Sequence, residues 1–440
     1  MSAETTQPPP GSDLSHTSIT GSSSTVRTFV RQPRVLPSPV PGDSVALRPP
    51  PVYGDRTWTQ KWRQPVLLAA PGILSSAALI LTANGTATRL AGFLTLVSGV
   101  AIALVVALMH SSDGDVAHTT QQRRAYLRYL TDTRRQLHRT ASLQREAQLR
   151  LHPEPSELRA VIARRGQLWE RTHEDEDFVQ VRVGTGPQSL ATTLVAPAIP
   201  AGSDPVCADG LASLMQEYRT LAELPMAVSL RAFHHIHVCG TNEERIRNLV
   251  RSMVAQLVTL HGPDEVRVLV YAPVARSDEW EWIDYLPHVR PLPDDELPTL
   301  ITGLADDSTS FTQLLTGIHG RAPFSREDFE GSPLCPHVLV VCDTLPIPSE
   351  AEWLLSEGRM GVTLIRLAPD TQGGTAVGLE FTVTDEDLSL ETPNVRYVGQ
   401  PDALTSRQAV RLARDLSGFR LADCRDETGN QAGHDDIPSP

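Results

Sequence analysis

Hydrophobic and polar positions divide this chain into stretches of different period. Residues 1–55 are rich in Pro, Ser and Thr (QPPPGS, TSITGSSST, RPPP). They carry too little apolar surface to order themselves, so a disordered tail is expected there. Two uncharged apolar runs follow, at 65–83 and 90–109, with only Asn84 to Arg89 between them. Each approaches the roughly 20 residues that a helix needs to cross a hydrocarbon core of about 30 Å, so 56–110 reads as a transmembrane helical hairpin. In the second run Ala91, Thr95, Gly99, Ala103 and Ala107 recur at steps of four, a small-residue face on which another helix could pack closely.

After the hairpin, Gln121 to Arg150 is polar and contains neither Gly nor Pro. Tyr126, Leu130, Thr133 and Leu137 form a narrow seam along it, compatible with a helix that pairs with something or with a solvated spacer. Pro155 is expected to open a further helix running to about Arg171, which makes 111–171 a helical stalk. From Phe178 the period changes. FVQVRV, ATTLV, AVSLRA, HIHVC, VRVLVY, HVLVVCD and GVTLIRL read as strands, with helices near Asp209 to Leu221, Glu243 to His261, Ser349 to Glu357 and Ala403 to Leu416. Apolar strands separated by helices predict an α/β domain over 172–424, a mainly parallel sheet covered by helices on both faces. A flexible polar tail over 425–440 completes the division. The aromatic-dense segment Trp280 to His288 is read as local core rather than as a partner surface.

Charge sharpens the picture. The formal net charge of −13 hides an asymmetry: Ser111 to Arg171 carries 12 Arg against 7 acids (+5), and Thr172 to Pro440 carries 19 Arg against 41 acids (−22). The basic stalk suits anionic lipid, and the acidic body excludes nucleic acid as a natural partner. Arg48, Arg56, Lys61 and Arg63 precede the hairpin and Arg123, Arg124 and Arg128 follow it, while the loop holds Arg89 alone. The expectation is therefore a cell-membrane protein with two spans and both termini cytoplasmic, with Trp58 and Trp62 as interfacial anchors. Five cysteines show no CxxC pair or zinc spacing.

Candidate chemistry centres on HIHVCGTNEERIRNLVRSMVAQL. A strand ends at Cys239, the turn is Gly240, Thr241 and Asn242, and a long amphipathic helix starts at Glu243. The topology is that of a P-loop, but GxxxxGK[ST] is not satisfied: the second Gly, the Lys and the Ser/Thr are missing. Glu243 and Glu244 stand where phosphates would lie. Lys61 is the single lysine of the chain. HVLVVCD ends in Asp343, the position of a Walker B carboxylate, but Thr344 and Leu345 follow, so no second acid is present to orient an attacking water. Both features read as remnants of a nucleotide-binding fold. No catalytic residue and no cofactor are expected, ATP being the alternative, and changes at Gly240 or Asp343 should act on folding or assembly. Gly184-Thr185-Gly186 is read as a hairpin turn. His235 and His237 share one strand face, which permits a metal, but no further ligand is suggested and no metal is expected.

The hairpin, Tyr126-Leu-Arg-Tyr-Leu130, LWERTHEDEDFVQVRVGTG from Leu168 to Gly186, Asp204-Pro-Val-Cys207 and EWEWIDYLPH from Glu279 to His288 together resemble the N-terminal part of the EccC family. These are FtsK/SpoIIIE-type membrane ATPase subunits of type VII (ESX) secretion systems. The resemblance covers roughly 55–420. It implies two spans, a stalk and a RecA/FtsK-like membrane-proximal domain with a degenerate nucleotide site. The family continues into motor domains beyond the point where this sequence ends, so a split subunit with separately encoded FtsK-like motors, or a truncated copy, is expected. What it implies is a membrane-anchoring structural and regulatory pseudo-ATPase. Its partners would be other type VII inner-membrane subunits, the motor domains and further copies of itself. The alternatives are a working P-loop-like NTPase with Arg245 or Arg247 replacing the lysine, and a membrane-tethered scaffold unrelated to secretion.

Overall fold

The computed structural model describes residues 27–52, 70–72, 74–78, 80–82, 85–290, 303–326, 333–368, 378–392 and 395–422. Trp58, Lys61, Trp62, residues 65–69 and the tails at 1–26 and 423–440 lie outside them.

One ten-stranded sheet organises the body, in the order β5-β3-β13-β12-β11-β6-β10-β9-β7-β8. Its parallel part is β8 (Gly303–Ala305), β7 (Val266–Tyr271), β9 (His337–Asp343), β10 (Val362–Ala368), β6 (His235–Gly240) and β11 (Leu379–Val383). An antiparallel extension joins β12 (Leu388–Thr392), β13 (Val395–Pro401), β3 (Gln180–Ser189) and β5 (Thr220–Ser229) to that part. The expected α/β class is observed, with a sheet more mixed than the continuous apolar runs predict. The strands that make it so have alternating or polar sequences such as LSLET and VRYVGQP, which carry no buried-strand signal.

Apolar side chains line both faces of the parallel part, because a strand buried on two sides has no polar face to spare. On one face Ile236, Val238, Val268 and Val341 pack under the helix Glu243–Leu260. On the other, Leu269, Val338, Val340 and Leu364 pack against Phe311, Leu315 and Ile318 of the helix Ser308–His319. Trp280, Trp282, Ile283 and Leu286 are fully buried, so the aromatic segment is core.

Four expectations need correction. The stretch 90–109 runs on into the stalk as the first part of α1 (Thr86–Leu151), one continuous 66-residue helix. Among the described residues no helix is long and apolar enough to cross a membrane, and the two-span hairpin is thus unsupported. The close contact in this region is at Gly92, where an added Cβ would stand 2.8 Å from Ile80. Ala91 and Thr95 remain exposed and Gly99 meets nothing, and the side chains of Ala103 and Ala107 lie outside the described set. Secondly, the helix after Pro155 is only α2 (Leu158–Arg164), closed by Arg165 in a left-handed conformation at φ 59°.

Thirdly, Gly184-Thr185-Gly186 is no turn but the middle of β3. The glycines serve close approach there: a Cβ on Gly184 would stand 2.1 Å from the Gln400 carbonyl, and one on Gly186 2.4 Å from Met226 Sδ. Fourthly, the Pro-rich tail is docked over 27–52. β1 (Arg27–Phe29) pairs with β14 (Phe419–Leu421), β2 (Ser44–Ala46) pairs with β4 (Thr193–Val195), and Phe29 is buried edge-on to Trp169 and Phe419. Arg34 binds Asp175 and Asp177 at 2.8 and 2.6 Å. One buried ring and a few ion pairs order a segment whose composition argues for disorder.

The stalk seam has its partner within the chain. Tyr126, Leu130 and Leu137 pack with Cys207, Leu211 and Leu214 of α3 (Pro205–Glu217). The basic residues of α1 are partly committed here, as Arg123 pairs with Asp204 at 2.7 Å and Arg134 with Glu217 at 3.0 Å.

Candidate functional site

The P-loop-like turn connects β6 to α4 (Glu243–Leu260). Gly240 is buried, and a Cβ there would stand 2.1 Å from the Val383 carbonyl of β11. Glycine is required by the approach of two strands, a reason independent of any phosphate. Thr241 and Asn242 are exposed. The Asn242 side chain accepts from the backbone N–H groups of Glu244 and Arg245 at 3.1 and 3.3 Å, which caps the helix. The two donors that a phosphate would use at this helix start are thereby occupied. Glu243 and Glu244 occupy the first turn, where negative charge suits the helix dipole.

One turn further in, Arg247 does what a ligand-binding residue would leave undone. Its Nε donates to Asp343 Oδ2 at 2.9 Å and its Nη2 to Glu243 Oε2 at 2.7 Å. The indole Nε1–H of Trp280, at the end of α5 (Ser277–Trp280), donates to the same Asp343 oxygen at 2.9 Å. Arg276 closes on Glu243 from the other side. Asp343 is fully buried, and the Arg247 side chain is 5% exposed. Burial alone would lower the Arg247 pKa, but the Glu243 hydrogen bond and the Asp343 charge outweigh it and raise the value. The hydrogen bond from Arg247 likewise holds the Glu243 carboxyl below its ordinary range.

The structure therefore brings Glu243 and Asp343 together through Arg247, while Thr241 and Asn242 are exposed at the turn. Arg245 lies elsewhere: it is half-exposed and pairs with Asp385 at 3.0 Å. A second network lies behind the first, as Arg251, fully buried, reaches Asn248, Glu244 and Glu279. Sequence reasoning missed Arg247, Trp280 and Arg276 as a unit. The usable signal was the helical spacing of Glu243 and Arg247, an i,i+4 pair of opposite charge in the proper order.

On the other face of β6, His237 and Cys239 stand beside Glu380 of β11, their ligand atoms within 4.8 Å of one another. A second group, His173, Glu265 and Cys335, lies near the surface, with His173 Nδ1 3.1 Å from the Glu265 carboxylate.

No protein-family model matches the chain. The ESX secretion system protein EccC of Thermomonospora curvata is 30% identical over 408 residues, 89% of this chain and 30% of that protein. The ESX-3 secretion system protein EccC3 of Mycobacterium tuberculosis is 32% identical over 250 residues, 56% of the chain and 18% of the relative. The ESX-1 protein EccCa1 of the same species is 24% identical over 318 residues, covering 70% of the chain and 41% of the relative. The chain thus spans less than half the length of these curated relatives. Among solved structures, EssC (ATPases 2 and 3) from Geobacillus thermodenitrificans aligns over 58% of this chain and 52% of its own, with a TM-score of 0.34 at 9% identity. The sequence relationship, spread over nine-tenths of the chain, makes this polypeptide a homologue of EccC of the ESX type VII secretion systems, corresponding to part of that protein.

Proposed function

We propose that this chain is a structural and regulatory component of a type VII secretion machine, a pseudo-ATPase body that couples FtsK-like motor domains to the membrane complex. The reading is the same whether the motors are carried on this polypeptide or on another. The observation that carries it is the Arg247–Asp343–Trp280 contact. A nucleotide site needs a free cation for the β/γ-phosphates and a carboxylate open to Mg²⁺. Here the cation at that helix and the carboxylate at that strand end neutralise each other under an indole, so the electrostatic work of the fold goes into rigidity.

Attachment to the membrane is supported by the uncharged runs at 65–83 and 90–109, and by ten large apolar side chains that, among the described residues, are exposed between Leu74 and Val105. A surface of that kind marks contact with lipid or with other apolar helices. Partner subunits of the ESX membrane complex, further copies of the chain and anionic lipid beside the stalk are the contacts this reading expects.

Two measurements test it. The full chain, titrated with a fluorescent ATP analogue and Mg²⁺, is expected to show no saturable binding and no hydrolysis. Binding that is abolished by Asp343→Asn would overturn the reading in favour of a working NTPase. Affinity purification from cells is expected to recover other ESX membrane subunits. Their absence, with the chain itself in the membrane fraction, would favour a tethered scaffold outside secretion.

A further inference from the structure

We infer that His237, Cys239 and Glu380 form a binding site for a divalent transition metal of the zinc type on the face of the sheet opposite α4. Three features of the structure converge on it. The first is composition: an imidazole, a thiol and a carboxylate are the three side-chain types that Zn²⁺ takes, and three protein ligands leave a fourth position for water. The second is spacing. His237 Nδ1 lies 3.7 Å from Glu380 Oε2, and the Cys239 thiol donates a long hydrogen bond of 3.8 Å to Glu380 Oε1. Ligands bound at about 2.0–2.3 Å in a tetrahedron stand roughly 3.5 Å apart. The same spacing is too long for an N–H···O hydrogen bond, and His237 Nδ1, buried, has no hydrogen-bond partner among the described residues.

The third feature is how the strands hold the group. Parallel pairing sets Glu380 opposite His237 and Thr382 opposite Cys239. The ligands therefore come from two adjacent backbones locked in register, a rigid platform rather than a loop. On the next strand the antiparallel register places Glu391 directly opposite Glu380. Like charges in that position repel unless a cation lies between or beside them. Arg366 of β10, in register with His237, and Arg396 of β13, opposite Glu391, supply positive charge to this face. Thr382 Oγ1, 3.8 Å from Cys239 Sγ, is placed to support the sulfur. When the metal binds, the Sγ–metal bond forms as the thiol proton leaves to solvent, and the imidazole binds in its neutral form.

The inference stands independently of the proposed function. Its test uses the full-length chain, stripped with chelator and titrated with Co²⁺. One equivalent is expected to bind, with the near-ultraviolet absorption of thiolate-to-cobalt charge transfer, and equimolar Zn²⁺ should displace it. Cys239→Ser should abolish the charge-transfer absorption, and Glu380→Gln should weaken Co²⁺ binding at least tenfold. Glu380 is partly exposed, so that variant reports on the ligand and not on the fold. His173→Gln and Cys335→Ser, in the other cluster, should leave the titration unchanged. Substoichiometric binding, an unaltered titration in Glu380→Gln, or a signal lost in Cys335→Ser instead would overturn the site.

Discussion

Strand β6 carries two polar regions that differ in how their charges are answered. At its C-terminal end Arg247 bonds Glu243 and Asp343 at 2.7–2.9 Å, and Trp280 and Arg276 add donors to the same two carboxylates, with Asp343 Oδ1 the buried oxygen left without a partner among the described residues. A few residues earlier, His237, Cys239 and Glu380 stand 3.7–3.8 Å apart with a buried nitrogen unsatisfied. The contrast separates architecture from ligand chemistry. A buried polar group that has found its partners contributes rigidity. An imidazole, a thiol and a carboxylate held together at metal-ligand spacing mark a place where a cation completes the set.

The largest effect on this contrast is expected from acid. Burial pushes His235 and His288 to about 4, and His152 and His337 to about 3. Burial is likewise the main cause that lowers His237. A histidine whose folded pKa lies below the unfolded value of 6.5 adds stability that is full above pH 6.5 and lost as pH falls toward the folded value. For His288 alone the loss by pH 4 is on the order of 3 kcal/mol at 1.36 kcal/mol per unit. Asp402, raised to about 6 mainly by burial beside Arg182, has the opposite sign: its contribution is present below 3.8 and disappears as pH rises through 6, so it offsets part of the loss. The hydrogen bond from Arg247 holds Glu243 below its ordinary range, the opposite direction from Asp402. Thermal melts from pH 7 to pH 4 should therefore show steep destabilisation carried by the histidines. A flat profile would remove the distinction between the two regions.

Next in size is the network itself. Arg247→Ala leaves the Asp343 carboxylate buried with only Trp280 as donor, and is expected to cost about 3–5 kcal/mol in denaturant unfolding. The double variant Arg247→Met, Asp343→Leu removes both charges and should recover most of that loss. A single-variant cost under about 1 kcal/mol would show that the network does not hold the fold.

Gly240→Ala tests whether the two regions are mechanically joined. The added methyl would meet the Val383 carbonyl, so β6 and β11 must move apart, at about 1–3 kcal/mol. The same movement separates Cys239 from Glu380, and Co²⁺ affinity should fall with stability. An unchanged affinity would show that the strands adjust locally at the turn.

How much of this was legible in the sequence follows from which interactions are local. The strands HIHVC, VRVLVY, HVLVVCD and GVTLIRL were readable because a doubly covered strand is apolar throughout. The degenerate turn was readable because a missing lysine is a fact of composition. The helix Ser308–His319 and strands β11 to β13 were not, since polar residues interrupt their apolar positions, as in STSFTQLLTGIH, LEFTV and LSLET. Phe29, Arg31 and Arg34 order the Pro-rich tail through partners as much as 390 residues away, and no local pattern encodes such contacts. The same holds for the metal cluster. HxHxC announces three possible ligands, but Glu380 joins them only through the β6–β11 register.

Arg245 gives the smallest expected effect, and it discriminates between the two readings of the turn. It was the other cation offered as a substitute for the missing lysine, and it differs from Arg247 in every physical respect. Its side chain is 46% exposed and its partner Asp385 is 72% exposed. A solvent-exposed pair of this kind contributes about 0–1 kcal/mol, reduced further by salt. Arg245→Ala should therefore leave the unfolding midpoint nearly unchanged while Arg247→Ala lowers it strongly. If the turn held a nucleotide, the order would invert in a binding experiment: the exposed arginine could reach a phosphate without breaking a buried pair, and its loss would abolish a signal that stability measurements never see. A pair of variants ranked by both assays thus decides whether the charge at this helix start serves the fold or a ligand.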